Sequence, residues 1–345
     1  MNERTAEQTP AAPDYGGAVP PALMPGWSQT FRALRHRNFR LFITGQAISL
    51  TGTWMQNVAQ AWLVYRLTRS EFILGLAMFA MYLPVFVLGP VGGLAADRYS
   101  RHRIVIATQT LAMVQALLLA ALTLSGAVHI WHVLALAFFL GCVNAFDMPA
   151  RQSLVIHLAS RQDLLSAISL NSAVFNLARV VGPAVAGILV AAFGEGPCFL
   201  VNGLSFAPVI GCLAVMRINE AGRQRPPSPW THLVEGFRYA HGNRPVRTFL
   251  GFSGTVNLSA APGMVLAPVF ADAIFHRGSL GLGFLTTAMG LGAVAGTLGL
   301  ARRTRVSGLP DVIVLSAALM AAGMALFAWA PSFYLALAVM PLIGF

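Results

Sequence analysis

Residues 72–103 read FILGLAMFAMYLPVFVLGPVGGLAADRYSRHR: 25 uncharged residues, then Asp97-Arg98-Tyr99-Ser100-Arg101-His102-Arg103. A helix of 25 residues, rising 1.5 Å per residue, is longer than the roughly 30 Å hydrocarbon thickness of a bilayer. A charged cluster directly after such a run marks the point where the chain leaves the lipid. Nine more apolar runs flank this one, near 41–65, 104–126, 131–150, 167–193, 197–216, 248–271, 280–301, 311–330 and 333–345. Across all 345 residues 56% are hydrophobic and only 10% are charged, against about 45–50% and about 25% in soluble domains. A water-soluble globule would lack the charge to cover its surface. The expected class is an all-α polytopic membrane protein.

The formal charge is +11, and all 23 basic residues are Arg. Their placement decides what the charge is for. If the N-terminus is cytoplasmic, nineteen arginines fall on inner segments: Arg4, Arg32, Arg35, Arg37, Arg40, Arg98, Arg101, Arg103, Arg151, Arg161, six between Arg217 and Arg247, and Arg302, Arg303 and Arg305. Outer loops hold Arg66, Arg69 and Arg277, and Arg179 lies within a helix. This alternation marks membrane topology and excludes a nucleic-acid partner. Cys142, Cys198 and Cys212 sit inside apolar runs without metal spacing and read as buried hydrophobes.

Four regions are expected. Residues 1–30, rich in Pro, Ala and Gly, form a disordered cytoplasmic tail, and 31–216 form a six-helix bundle. Residues 217–247 are a cytoplasmic linker with the breaker Arg225-Pro226-Pro227-Ser228-Pro229 and the amphipathic stretch Trp230–His241; 248–345 are a partial second bundle. The bundles echo each other weakly, Arg40-Leu41-Phe42-Ile43-Thr44-Gly45 against Thr248-Phe249-Leu250-Gly251-Phe252-Ser253-Gly254. The last run has 13 residues and stops at Phe345. The expectation is a truncated chain that does not transport alone, whereas its full-length parent does.

The loop Gly93-Leu94-Ala95-Ala96-Asp97-Arg98-Tyr99-Ser100-Arg101-His102-Arg103 resembles the signature of the major facilitator superfamily, with Ser100 in place of the usual second Gly and His102 in place of a basic residue. Asn38-Phe39-Arg40, Gly45-Gln46 and Asn144-Ala145-Phe146-Asp147-Met148-Pro149-Ala150-Arg151-Gln152 are similar to the drug and siderophore exporter branch, which includes enterobactin exporters and macrolide efflux proteins. The resemblance runs from about Asn38 to the end. It implies a major facilitator fold with about ten of twelve helices present. It also implies a secondary active transporter in the cell inner (plasma) membrane, exporting a hydrophobic or amphipathic small molecule by alternating access, with protons as coupling ion. A lysophospholipid or lipid translocator is the alternative.

The residues expected to carry the mechanism fall into three groups. In the signature loop, Gly93 permits close helix approach. Asp97, Arg98 and Arg101 form a conformational latch, and Asp147 either pairs with Arg98 or Arg101 or simply caps its helix before Pro149. In the fifth run, Gly182, Pro183 and Gly187 resemble the family's helix-bend motif. Gln46, Thr53, Asn57 and Gln60 share one face of the first helix at 100° per residue; Asn176 and Arg179 share one on the fifth, and Asn257 would face them from the seventh. Lipid penalises polar stripes, so these should line a substrate cavity. An Arg near the bilayer centre costs roughly 2.5–3.5 kcal/mol on insertion scales. Arg179 therefore faces the interior, serving either substrate or gate, or as a structural hydrogen-bond hub. Trp54, Met55, Trp62 and Met264 could add an adaptable apolar wall.

The first helix contains no acid. Asp147 and Asp272 are the leading titratable candidates, with Glu71, Glu195 and His157 behind them. No Gly-Lys-Ser/Thr phosphate loop is present, so ATP coupling within this chain is excluded. The eight histidines are scattered, against an enzyme. No cofactor or metal is expected; the partners are a small-molecule substrate, the bilayer and protons, with the chain acting as a monomer.

Overall fold

A computed structural model describes residues 31–160, 162–216, 229–301 and 308–345. The expected tail (1–30), most of the linker and the arginine cluster 302–305 lie outside the described residues. Among the described residues there is no strand. Ten long helices run α1 Arg37–Thr68, α2 Glu71–Arg98, α3 Arg101–Leu124, α4 Ile130–Leu158, α5 Leu164–Phe193, α6 Gly196–Val215, α7 Arg244–Val265, α8 Gly278–Ala301, α9 Leu309–Ala328 and α10 Phe333–Gly344. A linker helix, Pro229–Gly242, precedes α7, and a short π-turn, Phe270–Ile274, follows it.

Local chemistry sets the ends. The Ser70, Ser100 and Ser332 hydroxyls accept from the third following backbone N–H and cap α2, α3 and α10. Arg69, at φ 49°, turns the chain out of α1. Several helices overrun their apolar runs: α4 continues through Pro149 to Leu158, so Arg151 lies inside it.

Eight of the described helical segments are long and apolar enough to cross a membrane. Many of their large side chains, such as Phe72, Phe86, Leu165 and Leu258, meet no protein neighbour that covers them. Water would penalise that surface and lipid does not, so the chain is a multi-pass membrane protein. The polar stripe of the 32-residue α1 keeps it out of those eight, and α10 has only 12 residues.

Close helix contact depends on glycines without room for a Cβ. A Cβ on Gly45 would stand 2.7 Å from Val209 Cα, and one on Gly52 would stand 2.6 Å from the Asn202 amide oxygen, seating α1 on α6. Twice such a glycine lies against a carbonyl freed by proline. Pro149 and Pro183 lack the N–H that would bond the carbonyls of Ala145 and Arg179 four residues earlier. Gly92 of α2 lies on Ala145 O, and Gly290 of α8 on Arg179 O, with a built Cβ at 2.0 and 2.8 Å. Small residues at both places let the backbones meet, and the Cα–H groups face the orphaned oxygens.

The apolar core has two parts. At the end carrying the α2–α3 turn, the core residues all belong to the first six helices and the short turn before α1, including Phe39, Phe42, Leu154, Phe206 and Leu213. At the end carrying the α1–α2 turn, one continuous core joins Leu63, Val64, Leu74 and Phe199 of the first six helices to Leu282, Leu285, Ala336 and Met340 of α8 and α10. The two helix groups are thus fused at the α1–α2 end, and each end of the first group is separately clamped. At the α1–α2 end Arg66 donates to both carboxylate oxygens of buried Glu195 at 2.7 and 3.1 Å. At the other end Asp163 holds His36 at 2.9 Å and Arg32 at 3.3 Å. The His36 hydrogen bond, with help from Ser160 and Arg32, keeps the Asp163 carboxyl below its ordinary range. The carboxylate therefore stays charged at neutral pH, and its contribution to the tie is lost as pH falls through the lowered value.

Candidate functional site

Within the shared core a partly open cavity lies between α1, α2, the end of α7 and α8. Its water-accessible volume is about 110 Å³, enough for several ordered waters. Asn57 and Gln60 of α1 supply amides, Tyr82 a phenol and Thr286 a hydroxyl, while Met78, Met81, Met264 and Val58 give an apolar, deformable wall. The sequence reading missed the α2 wall. Leu74, Met78, Met81 and Tyr82 follow helical spacing, but in a helix apolar all round no face stands out by periodicity.

Arg179 lies beside this cavity, one turn deeper. Its guanidinium sits 5.5 Å from the Trp54 ring centroid and within electrostatic range of Tyr82. Trp54 packs edge-on against Phe175, 5.7 Å away. Among the described residues no acid pairs with Arg179, and its buried Nε has no hydrogen-bond partner.

Other predicted cavity residues are placed differently. Gln46 is shut inside the first bundle at 1% exposure and does not line the cavity, because the neighbouring Gly45 draws this turn of α1 onto α6. Thr53 turns its hydroxyl back to Ser49 O at 2.9 Å. Asn176 bonds Ser172 O at 2.9 Å and reaches Thr297 across the groups at 3.5 Å. Asn257 is exposed, bonded to Ser253 O, and outside the cavity lining; α7 contributes Met264 and Val265 instead. Sequence reasoning also passed over Gln56, which takes part in a buried chain with Gln115 (3.0 Å) and Asn202 (2.7 Å) tying α1 to α3 and α6.

The signature loop differs from expectation in two respects. A Cβ on Gly93 would meet nothing within 4 Å, whereas Gly92 is the glycine in contact. Adjacent helix positions point about 100° apart, so only one of the pair can face α4. Gly92→Ala is expected to destabilise the protein by about 1–3 kcal/mol, and Gly93→Ala to change it by under about 0.5; thermal unfolding in detergent checks the contrast. Asp147 pairs with neither Arg98 nor Arg101. Its carboxylate, buried in α4, accepts from Thr108 (2.7 Å) and Gln109 (2.9 Å) of α3 and meets Arg151 at 3.0 Å one turn along. Because α4 continues past Pro149, the cation at i+4 is closer than the loop. Arg101 instead bridges Asp97 (3.6 Å), Ala96 O (3.2 Å) and His157, while Arg98 faces the Tyr99 ring.

In the predicted bend motif, Gly182 is the contact with α1, where a Cβ would stand 2.6 Å from that of Trp54. Gly187 meets Gly283 of α8 across the two groups, a built Cβ lying 2.9 Å from Gly283 Cα. Near this crossing Arg69, at the end of α1, forms an ion pair with Asp272 of the π-turn, so a salt bridge also joins the groups.

A family model of the major facilitator superfamily, described as transmembrane secretion effector, matches residues 28–345. The chain belongs to this family. The major facilitator chain is similar to the staphyloferrin A transporter of Staphylococcus aureus, 26% identical over 80% of this chain and 70% of that protein. It is also similar to the multidrug efflux pump Tap of Mycolicibacterium fortuitum, 25% identical over 85% and 74%. Among solved structures, the nucleoside transporter NupG superposes with a TM-score of 0.68 at 14% identity, over 90% of this chain and 79% of that one. A bacterial homologue of the lysosomal transporter Spinster gives 0.61 at 17% identity, over 90% and 72%. The fold expected from the signature loop is the fold observed, and this chain is a major facilitator transporter.

Proposed function

We propose that the protein carries a hydrophobic or amphipathic small molecule, of the drug or siderophore kind, out of the cell by alternating access, in exchange for protons and as a monomer. The arginine distribution supports an orientation with the N-terminus, the α2–α3 turn and the linker in the cytoplasm and the α1–α2 turn outside. The observation that carries the reading is the cavity between the helix groups, beneath a buried core that, among the described residues, joins them at the α1–α2 end. A substrate entering from the cytoplasmic end would meet the Met and Tyr wall. Release outward would require the Gly187–Gly283 crossing and the Arg69–Asp272 bridge to part. The signature loop, with Asp97 held by Arg101, would serve as the latch on the cytoplasmic side.

In an efflux-deficient bacterial host, the complete gene product is expected to lower accumulation of an amphipathic dye several-fold. Asn57→Trp or Gln60→Trp, which fill the cavity, should restore accumulation while the protein stays in the membrane. Unchanged efflux by both variants would remove the cavity from the transport path.

A further inference from the structure

Arg179 lies about four helical turns from the Phe193 end of α5, while Asn57 and Tyr82 lie about three turns from the same face of the membrane. The guanidinium therefore lies about one turn below the residues that line the cavity, against the Trp54 face, with the lining residue Tyr82 within electrostatic range on the α2 side. An aromatic face attracts a cation but does not neutralise it. A buried guanidinium is ordinarily paired with a carboxylate, and here the described residues offer none. The buried Nε–H has no acceptor, and the Tyr82 hydroxyl, on an exposed side chain of the cavity wall, offers a second donor. This inner end thus presents donors and positive charge beneath a wall of Met, Val, Leu and Ala whose other polar groups, Asn57, Gln60 and Thr286, are all neutral. A ligand that completes it brings acceptor oxygens with negative charge at one end and apolar surface at the other.

We propose that Arg179 and Tyr82 form an anion-binding subsite and that the exported substrate class is an amphipathic organic anion. This rests on the reading of the cavity as the transport site. Arg179 fixes the anionic oxygens through charge-assisted hydrogen bonds, Tyr82 adds a neutral one, and the methionines take up the apolar body. A guanidinium stays protonated at every physiological pH, so the subsite selects charge without itself titrating.

The test is binding of three fluorescent probes to the purified protein in neutral detergent, read by energy transfer from tryptophan: pyrenebutyrate, pyrenebutyl phosphate and the uncharged pyrenebutanol. At least one anionic probe is expected to bind about tenfold more tightly than the alcohol, the size of one charge-assisted hydrogen bond. The tighter of the two separates a carboxylate substrate from a phosphate ester. Arg179→Gln should abolish the preference and leave alcohol binding within about twofold, Arg179→Lys should keep part of it, and Tyr82→Phe should reduce it about threefold. Tyr82→Phe leaves the guanidinium in place and carries the test if Arg179→Gln does not insert. Equal binding of all three probes to the wild type, or a preference that survives both Arg179→Gln and Tyr82→Phe, overturns the subsite. If Asn57→Trp fails to weaken even the alcohol, it is the cavity reading that fails, and the two failures are thereby told apart.

Discussion

Gly187→Leu is expected to abolish export while leaving the chain inserted in the membrane. At the crossing of α5 and α8 a single Cβ on Gly187 would already stand 2.9 Å from Gly283 Cα, and one on Gly283 would stand 2.7 Å from Gly187 Cα and 2.9 Å from Pro183 O. Three further carbons cannot be placed there unless the two helices separate. Overpacking of this kind costs about 1–3 kcal/mol. The cost falls only on the state in which the crossing is closed, so it shifts the balance between closed and open states by roughly 5- to 160-fold. A transporter held open at one end cannot complete its cycle. Dye efflux by cells producing Gly187→Leu should fall to the background of the empty host, with Gly187→Ala intermediate. Full efflux by Gly187→Leu would mean that the crossing does not close during transport.

Asp147→Leu should cost about 2–4 kcal/mol of stability, the largest loss expected from any single polar substitution in α4. The carboxylate is 2% exposed and accepts from Thr108 and Gln109 while facing Arg151. Removing it strands a cation and two donors between α3 and α4. Because the Arg151 side chain is still 25% exposed, the loss stays below that of a fully buried pair. The double variant Asp147→Leu with Arg151→Leu should recover part of the loss, since it removes the stranded cation as well. Thermal unfolding in detergent measures both. A single variant as stable as wild type would show that Arg151 and its neighbours are satisfied by solvent.

The sequence made the fold legible because bilayer spans are written in length and charge alone. A run such as 72–96 has few structures open to it, and the signature loop that follows names the superfamily. The α1 stripe was legible too, at Asn57 and Gln60, because a polar residue in lipid needs a reason to be there. Helix phase was not. Whether Gly92 or Gly93 faces α4, and whether Gln46 faces the cavity or α6, depends on a rotation that one apolar helix does not encode. Asp147 found its cation on its own helix because α4 runs two turns beyond its apolar run. Tyr82 was missed because an apolar helix conceals one useful face among several alike.

The central claim is that the two helix groups part and rejoin at the α1–α2 end. Arg69 and Asp272, paired there, offer the most direct test. With Cys142, Cys198 and Cys212 replaced by Ala, Arg69→Cys and Asp272→Cys would be introduced together in the complete gene product and oxidised to a disulfide. The account predicts that oxidation stops efflux and that reduction restores it. Efflux at the same rate with the disulfide formed would contradict it.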